Sequence, residues 1–261
     1  MDNNMNINLI DTHCHIDLGV FDKDYREVLD RSRAAGVSAM ILPGVDRGGW
    51  TRILDLCKQE PDLYPALGLH PMYLKLHHPD DLNELQLHIE KGSQVAIGEI
   101  GLDYYVEGID HQQQQELFEA QLNIAATANL PVLLHVRKAH DQVLATLRRR
   151  KFQQGGIVHA FAGSLQQAEH YMKLGLKLSF GGTLTYDRAK RIRAVASQLP
   201  LEAIVLESDA PDIPVSSHKG ERNSPEYLPE ILDALTEIRT ESIEIIAAQT
   251  TENARMVLGI Q

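Results

Sequence analysis

Short apolar segments rich in β-branched residues alternate with longer amphipathic segments along almost the whole chain of 261 residues. The apolar segments have the length expected of buried parallel strands. Eight of them are found, at 7–11, 37–42, 63–69, 95–98, 132–135, 156–159, 176–180 and 203–207. Helical periodicity predicts helices at 24–35, 49–59, 79–91, 111–128, 139–150, 164–174, 186–198, 225–239 and 241–258. Strands separated by helices indicate βαβ units, and eight such units predict a closed α/β barrel of the (β/α)8 TIM type.

An open, doubly wound sheet is the main alternative to this barrel. That fold predicts a glycine-rich phosphate loop after the first strand. The first strand is followed instead by Thr12, His13, Cys14 and His15, so the barrel is favoured. No long linker or repeat divides the chain, which predicts one domain over residues 1–261.

Composition places the chain among ordinary globular proteins, with 43% hydrophobic and 23% charged residues. No apolar run reaches the roughly 20 residues of a membrane helix, and the segment 1–6 lacks the features of a signal peptide. Only two cysteines, Cys14 and Cys57, are present, which predicts reduced thiols and a cytoplasmic location. The net charge of −11 argues against broad attraction to nucleic acid, although a local cation site remains compatible with phosphate binding.

Residues of metal-ligand type recur where the predicted strands end. In a (β/α)8 barrel these ends meet at one face. Six residues are predicted as metal ligands: His13, His15, Glu99, His135, His159 and Asp209. Each residue alone could be a buried, hydrogen-bonded side chain. Together they would converge on one small volume, where unpaired polar groups are costly and a metal centre resolves that cost.

Six ligands exceed the needs of one tetrahedral ion and fit two divalent ions bridged by a carboxylate. Glu99 is the predicted bridge, because a carboxylate offers two oxygens. His13, His15 and Asp209 would complete one site, while His135 and His159 would complete the other. Mixed nitrogen and oxygen ligands suit Zn²⁺, Mn²⁺ or Co²⁺, with Mg²⁺ possible at an oxygen-rich position. Asp11 and Glu207 are predicted to orient ligands, and a capping or turn role is the alternative for both.

The motifs that carry these residues occur in a fixed order along the chain. They are DTHCHID at 11–17, GLHP at 68–71, AIGEIGLDY at 96–104, LPV at 130–132 leading to HVR at 135–137, HAFAG at 159–163, ESDAP at 207–211, and Gly220, Arg222, Asn223 and Pro225. In these motifs the chain resembles the TatD family of metal-dependent deoxyribonucleases, within the amidohydrolase-like barrels. The chain departs from the family pattern at Ala160, Ala162 and Ser208, changes that spare the ligands but alter the predicted pocket wall.

The resemblance implies a metal-dependent hydrolase with two divalent metals per chain that cleaves phosphodiester bonds, typically in DNA. No membrane association is expected, because no apolar run is long enough to span a bilayer, and no obligate protein partner is evident. We expect a water activated by the metal pair, with Asp209 as the proton acceptor. Hydrolysis of a small amide, ester or phosphoester is one alternative, because similar barrels support several such reactions. A metal-stabilised binding module without enzymatic activity is another, and it predicts a closed coordination shell with no position for water.

Three further residues are predicted to contact the substrate. His70 would bind a phosphoryl oxygen or protonate the leaving group, and capping of its loop is the alternative. Arg137 and Arg222 would clamp phosphate, because guanidinium matches phosphate oxygens bidentately. Ordinary surface solvation is the alternative for both arginines.

Overall fold

Eight short strands form one parallel sheet in which neighbours in the chain are neighbours in space. The structure, a computed structural model, describes residues 8–261. The strands are β1 (Leu9–Asp11), β2 (Val37–Pro43), β3 (Leu63–Leu67), β4 (Ala96–Asp103), β5 (Val132–Arg137), β6 (Gly156–Val158), β7 (Leu176–Phe180) and β8 (Ile204–Leu206). The predictions for the segment 1–6 and for a strand start at residue 7 lie outside the described residues.

Helices cover the outside of this sheet. They are α1 (Tyr25–Ala34), α2 (Arg47–Gln59), α3 (Asp81–Glu90), α4 (His111–Ala128), α5 (His140–Arg150), α6 (Leu165–Lys173), α7 (Lys190–Gln198), α8 (Leu228–Thr236) and α9 (Ile243–Leu258). Within residues 8–261, none of these helices combines the length and apolar character that crossing a membrane would require.

The sheet closes between its first and last strands. The Thr12 N–H donates to the Leu206 carbonyl at 3.0 Å, and the Asp209 N–H donates to the His13 carbonyl at 2.9 Å. These bonds join the ends of β1 and β8, which confirms the predicted (β/α)8 barrel. They also fix the loop after β1 against the loop after β8.

The predicted strand β4 is longer than the apolar pattern indicated. It runs to Asp103, beyond the predicted end at residue 98, and its pairing with β5 shifts register between Ile97 and Ile100. The apolar run breaks at Glu99 because that side chain enters the polar end of the barrel. Glu99 and Asp103 are therefore strand residues and share the rigidity of the sheet.

Apolar side chains fill the opposite end of the barrel. One buried cluster draws a residue from nearly every strand, including Ile41, Leu133 and Val205, and continues into Ala254 and Leu258 of α9. Side chains from different strands can touch in this way only inside the barrel. The interior is thus sealed at one end and polar at the mouth, where the strands end.

Candidate metal centre

Glu99 lies at the centre of a cluster of five imidazoles at the barrel mouth, four of them predicted ligands and the fifth that of His70. Its Oε2 atom is 3.1 Å from His13 Nε2 and 3.8 Å from His15 Nε2. Its Oε1 atom is 2.9 Å from His135 Nδ1 and 3.9 Å from His159 Nε2. The two carboxylate oxygens therefore face different histidines.

Asp209 completes the half of the cluster that contains His13. Its Oδ1 atom is 3.8 Å from both His13 Nε2 and His159 Nε2. One group of ligand atoms that lie within 4.8 Å of one another consists of His13, His15 and Asp209. All six side chains predicted as metal ligands are thus brought together.

Two of the imidazoles are oriented by carboxylates on their far side. His135 Nε2 lies 2.9 Å from Asp103 Oδ2, and His159 Nδ1 lies 3.1 Å from Glu207 Oε2. A proton held toward each carboxylate leaves the other ring nitrogen with a lone pair aimed at the centre. This is the arrangement that metal-ligating histidines use.

The loop after β1 carries the other two imidazoles. Asp11 Oδ1 accepts from the backbone N–H groups of His13 at 3.2 Å and Ser208 at 2.8 Å. Asp11 therefore binds the backbone that bears His13 and the backbone of Ser208 in the loop after β8. His13 Nε2 and His15 Nε2 are 3.2 Å apart, close enough for both nitrogens to bind one ion.

His70 joins the half of the cluster that contains His135. Its Nε2 atom is 3.2 Å from Glu99 Oε1 and 3.2 Å from His135 Nδ1, so its distances alone would suit a ligand. Its Nδ1 atom, however, accepts a hydrogen bond of 3.2 Å from the Met72 N–H. The neutral ring then carries its proton on Nε2, which makes that atom a donor toward Glu99.

Burial and neighbouring charge set the protonation of the cluster. Burial opposes charge on His159, yet Glu207, Asp209 and Glu99 raise its pKa well above the usual value. Burial also opposes charge on Glu99, while the histidines hold the pKa of its carboxyl well below the usual range. Burial raises the pKa of Asp209 well above its ordinary value and lowers that of His15 to about 3.

Glycine permits the close approach of β3 and β4 behind Glu99. A Cβ atom on Gly68 would lie 2.6 Å from the carbonyl carbon of Gly98 and 2.9 Å from the Glu99 nitrogen. A side chain there would displace the backbone of Glu99. Asp209 itself has φ of 59°, an uncommon left-handed conformation for a residue with a side chain, and such strain is often found at functional sites.

A cavity of about 610 Å³ opens onto the cluster. Its lining includes Glu99, Asp209, Arg137 and the aromatic ring of Phe161. Ala160 and Ala162, two of the departures from the family pattern, also line it. A volume of this size accommodates a small ligand or the end of a longer one.

The structure separates the two arginines that were predicted to bind phosphate. Arg137 lines the cavity. Arg222 instead forms a bidentate ion pair with Asp24, with nitrogen–oxygen distances of 2.9 and 2.6 Å, and it is not among the lining residues. Its guanidinium also lies 4.3 Å from the ring centroid of Phe21. Arg222 therefore fastens the loop after β8 to the loop after β1.

The sequence did not indicate a role for Asp103, whose carboxylate contacts the imidazole of His135. The only signal was its spacing, since residues four apart on a strand share a face, and Asp103 follows Glu99 by four. That spacing gains meaning only once both residues are known to lie on β4.

The donor set fits divalent cations. Several buried polar atoms have no hydrogen-bond partner among the described residues, and Asp11 Oδ2, His13 Nδ1 and His15 Nδ1 are among them. Such concentrations of imidazole nitrogen and carboxylate oxygen, with few partners of their own, are typical of sites for Zn²⁺, Mn²⁺ or Co²⁺.

A (β/α)8 barrel with imidazoles and carboxylates gathered at its mouth is the architecture of a class of metal-dependent hydrolases. Residues 10–259 match the family model described as TatD related DNase. The chain belongs to this family and is a metal-dependent hydrolase.

Named relatives agree with this assignment. The chain is 40% identical over 253 residues to the uncharacterized metal-dependent hydrolase YjjV of Escherichia coli K12, covering 96% of this chain and 98% of the relative. The crystal structure of YjjV, a TatD homologue, superposes with a TM-score of 0.95 at 39% identity and covers 98% of this chain and 100% of that one. A Pantoea ananatis relative named 3'-5' ssDNA/RNA exonuclease TatD is 32% identical, over 92% of this chain and 95% of its own length.

Proposed function

We propose that this metal-dependent hydrolase is a deoxyribonuclease that cleaves phosphodiester bonds. The observation that carries the proposal is the convergence of the four imidazoles predicted as ligands, together with Asp209, around Glu99 at the base of an open cavity. The Pantoea relative is named as an exonuclease of single-stranded DNA and RNA, which supports a nucleic acid as substrate.

Two divalent cations would be held on opposite sides of Glu99. His13, His15 and Asp209 would hold one, and His135 and His159 the other, with Glu99 shared between them. When bound, such a pair lowers the pKa of water and neutralises charge that develops on a phosphoryl group. Zn²⁺, Mn²⁺, Co²⁺ and Mg²⁺ are the cations compatible with these donors.

Asp209 accepts the proton of the attacking water. Its carboxylate faces the cavity, where a water molecule can reach it. The backbone bond from Asp209 N–H to the His13 carbonyl fixes this side chain relative to the ligands. A base held in a fixed position needs little reorganisation during the reaction.

His70 donates a proton to the phosphoryl oxygen or to the leaving oxygen. Its bond from Met72 N–H leaves the ring proton on Nε2, which faces the cluster. Metal ligation at Nε2 would need that proton to be absent. Proton donation therefore agrees better with the hydrogen bonding of His70 than a ligand role does.

Arg137 binds a phosphate of the substrate through its guanidinium, because it lines the cavity on the same strand as His135. Arg222 is not proposed to bind phosphate, because its guanidinium N–H groups already donate to the Asp24 carboxylate.

A substrate panel tests the proposal. Purified protein would be assayed with single-stranded and double-stranded oligodeoxynucleotides labelled at either end, and with small esters, lactones and phosphotriesters, each under Mn²⁺, Zn²⁺, Co²⁺ and Mg²⁺. We expect metal-dependent hydrolysis of oligonucleotides at rates well above those on the small substrates. Efficient turnover of a small ester with inert oligonucleotides would replace the nuclease with the small-molecule hydrolase.

A further inference from the structure

An exposed aromatic ring and two cations form a cluster beside the cavity. Tyr105, in the loop after β4, is 51% exposed. The Arg137 guanidinium lies 3.8 Å from the centroid of its ring, and Lys138 Nζ lies 4.7 Å from the same centroid. Both distances are within the range of cation–π attraction, so the ring holds the two cations near one another.

This cluster is fixed to the metal centre through one carboxylate. Asp103 Oδ1 accepts from the backbone N–H groups of Tyr105 at 2.8 Å and Val106 at 3.0 Å. Asp103 Oδ2 contacts His135 at 2.9 Å. The loop that carries Tyr105 and the imidazole that faces Glu99 therefore share a single buried anchor.

Neither cation of the cluster is neutralised by the protein. Over residues 8–261, no carboxylate lies within 4.0 Å of the charged groups of Arg137 or Lys138, whereas Arg222 is paired with Asp24. In a chain of net charge −11, two adjacent cations without a counterion indicate a place for an anionic ligand.

The backbone also holds Lys138 in an unusual conformation. Its φ is 53°, in the left-handed region that residues with side chains rarely adopt. This turn directly after β5 directs the chain so that Lys138 joins Arg137 over the same ring.

Arg137 connects the cluster with the cavity. It follows His135 by two residues on β5, so the two side chains share a face of the strand, about 6.6 Å apart along it. Arg137 also lines the cavity. A polyanion bound with one phosphate at the metal centre would therefore leave the cavity past Arg137 and Lys138.

We propose that Tyr105, Arg137 and Lys138 form a subsite for the nucleotide next to the scissile phosphate of a single-stranded nucleic acid. The inference rests on the proposed nuclease function. Lys138 and Arg137 bind the neighbouring phosphate, and the exposed part of the Tyr105 ring contacts a base. Cations beside an exposed aromatic ring are the combination that holds single strands without sequence preference.

The test compares variants on substrates of different length. The holoenzyme and the Lys138→Gln and Tyr105→Leu variants would be assayed on a single-stranded decamer and on a dinucleotide at several salt concentrations. Arg148→Gln is the matched control. It removes a positive charge from the exposed end of α5, at the barrel end opposite the mouth, and Arg148 does not line the cavity.

We expect Lys138→Gln to flatten the plot of log kcat/KM against log salt by about 0.7 for the decamer, the share of one phosphate contact on a single strand. Tyr105→Leu keeps the charge, so it should lower kcat/KM for the decamer about tenfold without changing the slope. On the dinucleotide, the slope change of Lys138→Gln and the fall in kcat/KM of Tyr105→Leu should both be smaller. Arg148→Gln should have the kcat/KM and the salt slope of the parent protein on both substrates.

Two outcomes would overturn the inference and can be told apart. If the parent protein cleaves the decamer but Lys138→Gln does not change the salt slope, the subsite is overturned and the nuclease function is not. A parent protein that cleaves no oligonucleotide under any of the metals would overturn the nuclease function and the subsite with it.

Discussion

Asp103 Oδ2 lies 2.9 Å from His135 Nε2, and this contact turns the other ring nitrogen of His135 toward Glu99 at 2.9 Å. The two residues belong to neighbouring strands, β4 and β5, whose register brings their ends together. Burial opposes charge on Asp103, but hydrogen bonds from His135 and from two backbone N–H groups lower its pKa to about 2. The carboxylate is therefore ionised at neutral pH and orients the imidazole.

The first prediction concerns this orientation. Asp103→Asn keeps an oxygen that can accept from Tyr105 and Val106 N–H but removes the charge that faces His135. We expect metal affinity or turnover to fall roughly 10- to 100-fold, as when other partners of ligating histidines are changed. Metal titration and steady-state kinetics check this. Unchanged affinity and turnover would mean that His135 does not depend on Asp103.

The second prediction concerns His70. His70→Ala should retain the metal content of the parent protein and lower turnover about 10²- to 10⁴-fold on an ordinary phosphodiester, the usual cost of losing a general acid. A diester with a 4-nitrophenolate leaving group needs less protonation, so its loss should be much smaller. Loss of one metal from the variant would instead make His70 a ligand, and equal losses on both substrates would contradict proton donation.

Several features of the site were accessible from sequence, because they depend on local pattern. Short apolar strands between helices predicted the barrel, and in a barrel the strand ends must meet, so His13, Glu99 and His159 could be expected to converge. The register of β4 against β5 was not accessible, because the apolar run breaks at Glu99 while the strand continues to Asp103. That register alone brings Asp103 to His135.

Long-range pairing was also beyond the reach of local pattern. Arg222 and Asp24 are 198 residues apart in the chain, and nothing near Arg222 indicates that a carboxylate from the loop after β1 will occupy it. From sequence, an arginine in a loop at the barrel mouth predicts a phosphate contact. The pattern is the same for an arginine that is paired with a carboxylate and for one that is not. Only the fold distinguishes Arg222 from Arg137.

The third prediction concerns pH. Carboxylates raise the pKa of His159 and burial raises that of Asp209, so in the metal-free protein both groups hold their protons to higher pH than free side chains do. Ligation requires the unprotonated forms, so cations and protons compete and metal affinity should rise with pH. Calorimetric titrations in buffers of different ionisation enthalpy should detect proton release on binding. An affinity that is constant between about pH 6 and about pH 8 would contradict this protonation.

The fourth prediction concerns the glycine behind Glu99. Gly68→Ala should destabilise the fold by about 1–3 kcal/mol, as overpacking does, and should lower turnover because the clash reaches the Glu99 backbone. Gly49→Ala, in α2, is the matched control, since a Cβ there meets nothing within 4 Å. That change should stabilise the protein by up to about 1 kcal/mol. Thermal unfolding compares the two, and equal effects would show that β3 and β4 tolerate a side chain at Gly68.

Anomalous diffraction from crystals grown with Mn²⁺ or Zn²⁺ can locate the two cations that Glu99 is proposed to bridge. We expect two anomalous peaks about 3.5–4 Å apart, with one Glu99 oxygen at each. One peak should lie near His13 and His15 and the other near His135. In Glu99→Ala crystals the shared ligand is gone, so the peak near His135 should weaken or vanish. A single peak in the parent protein that Glu99 does not contact, or two peaks that persist at full height in Glu99→Ala, would contradict the claim.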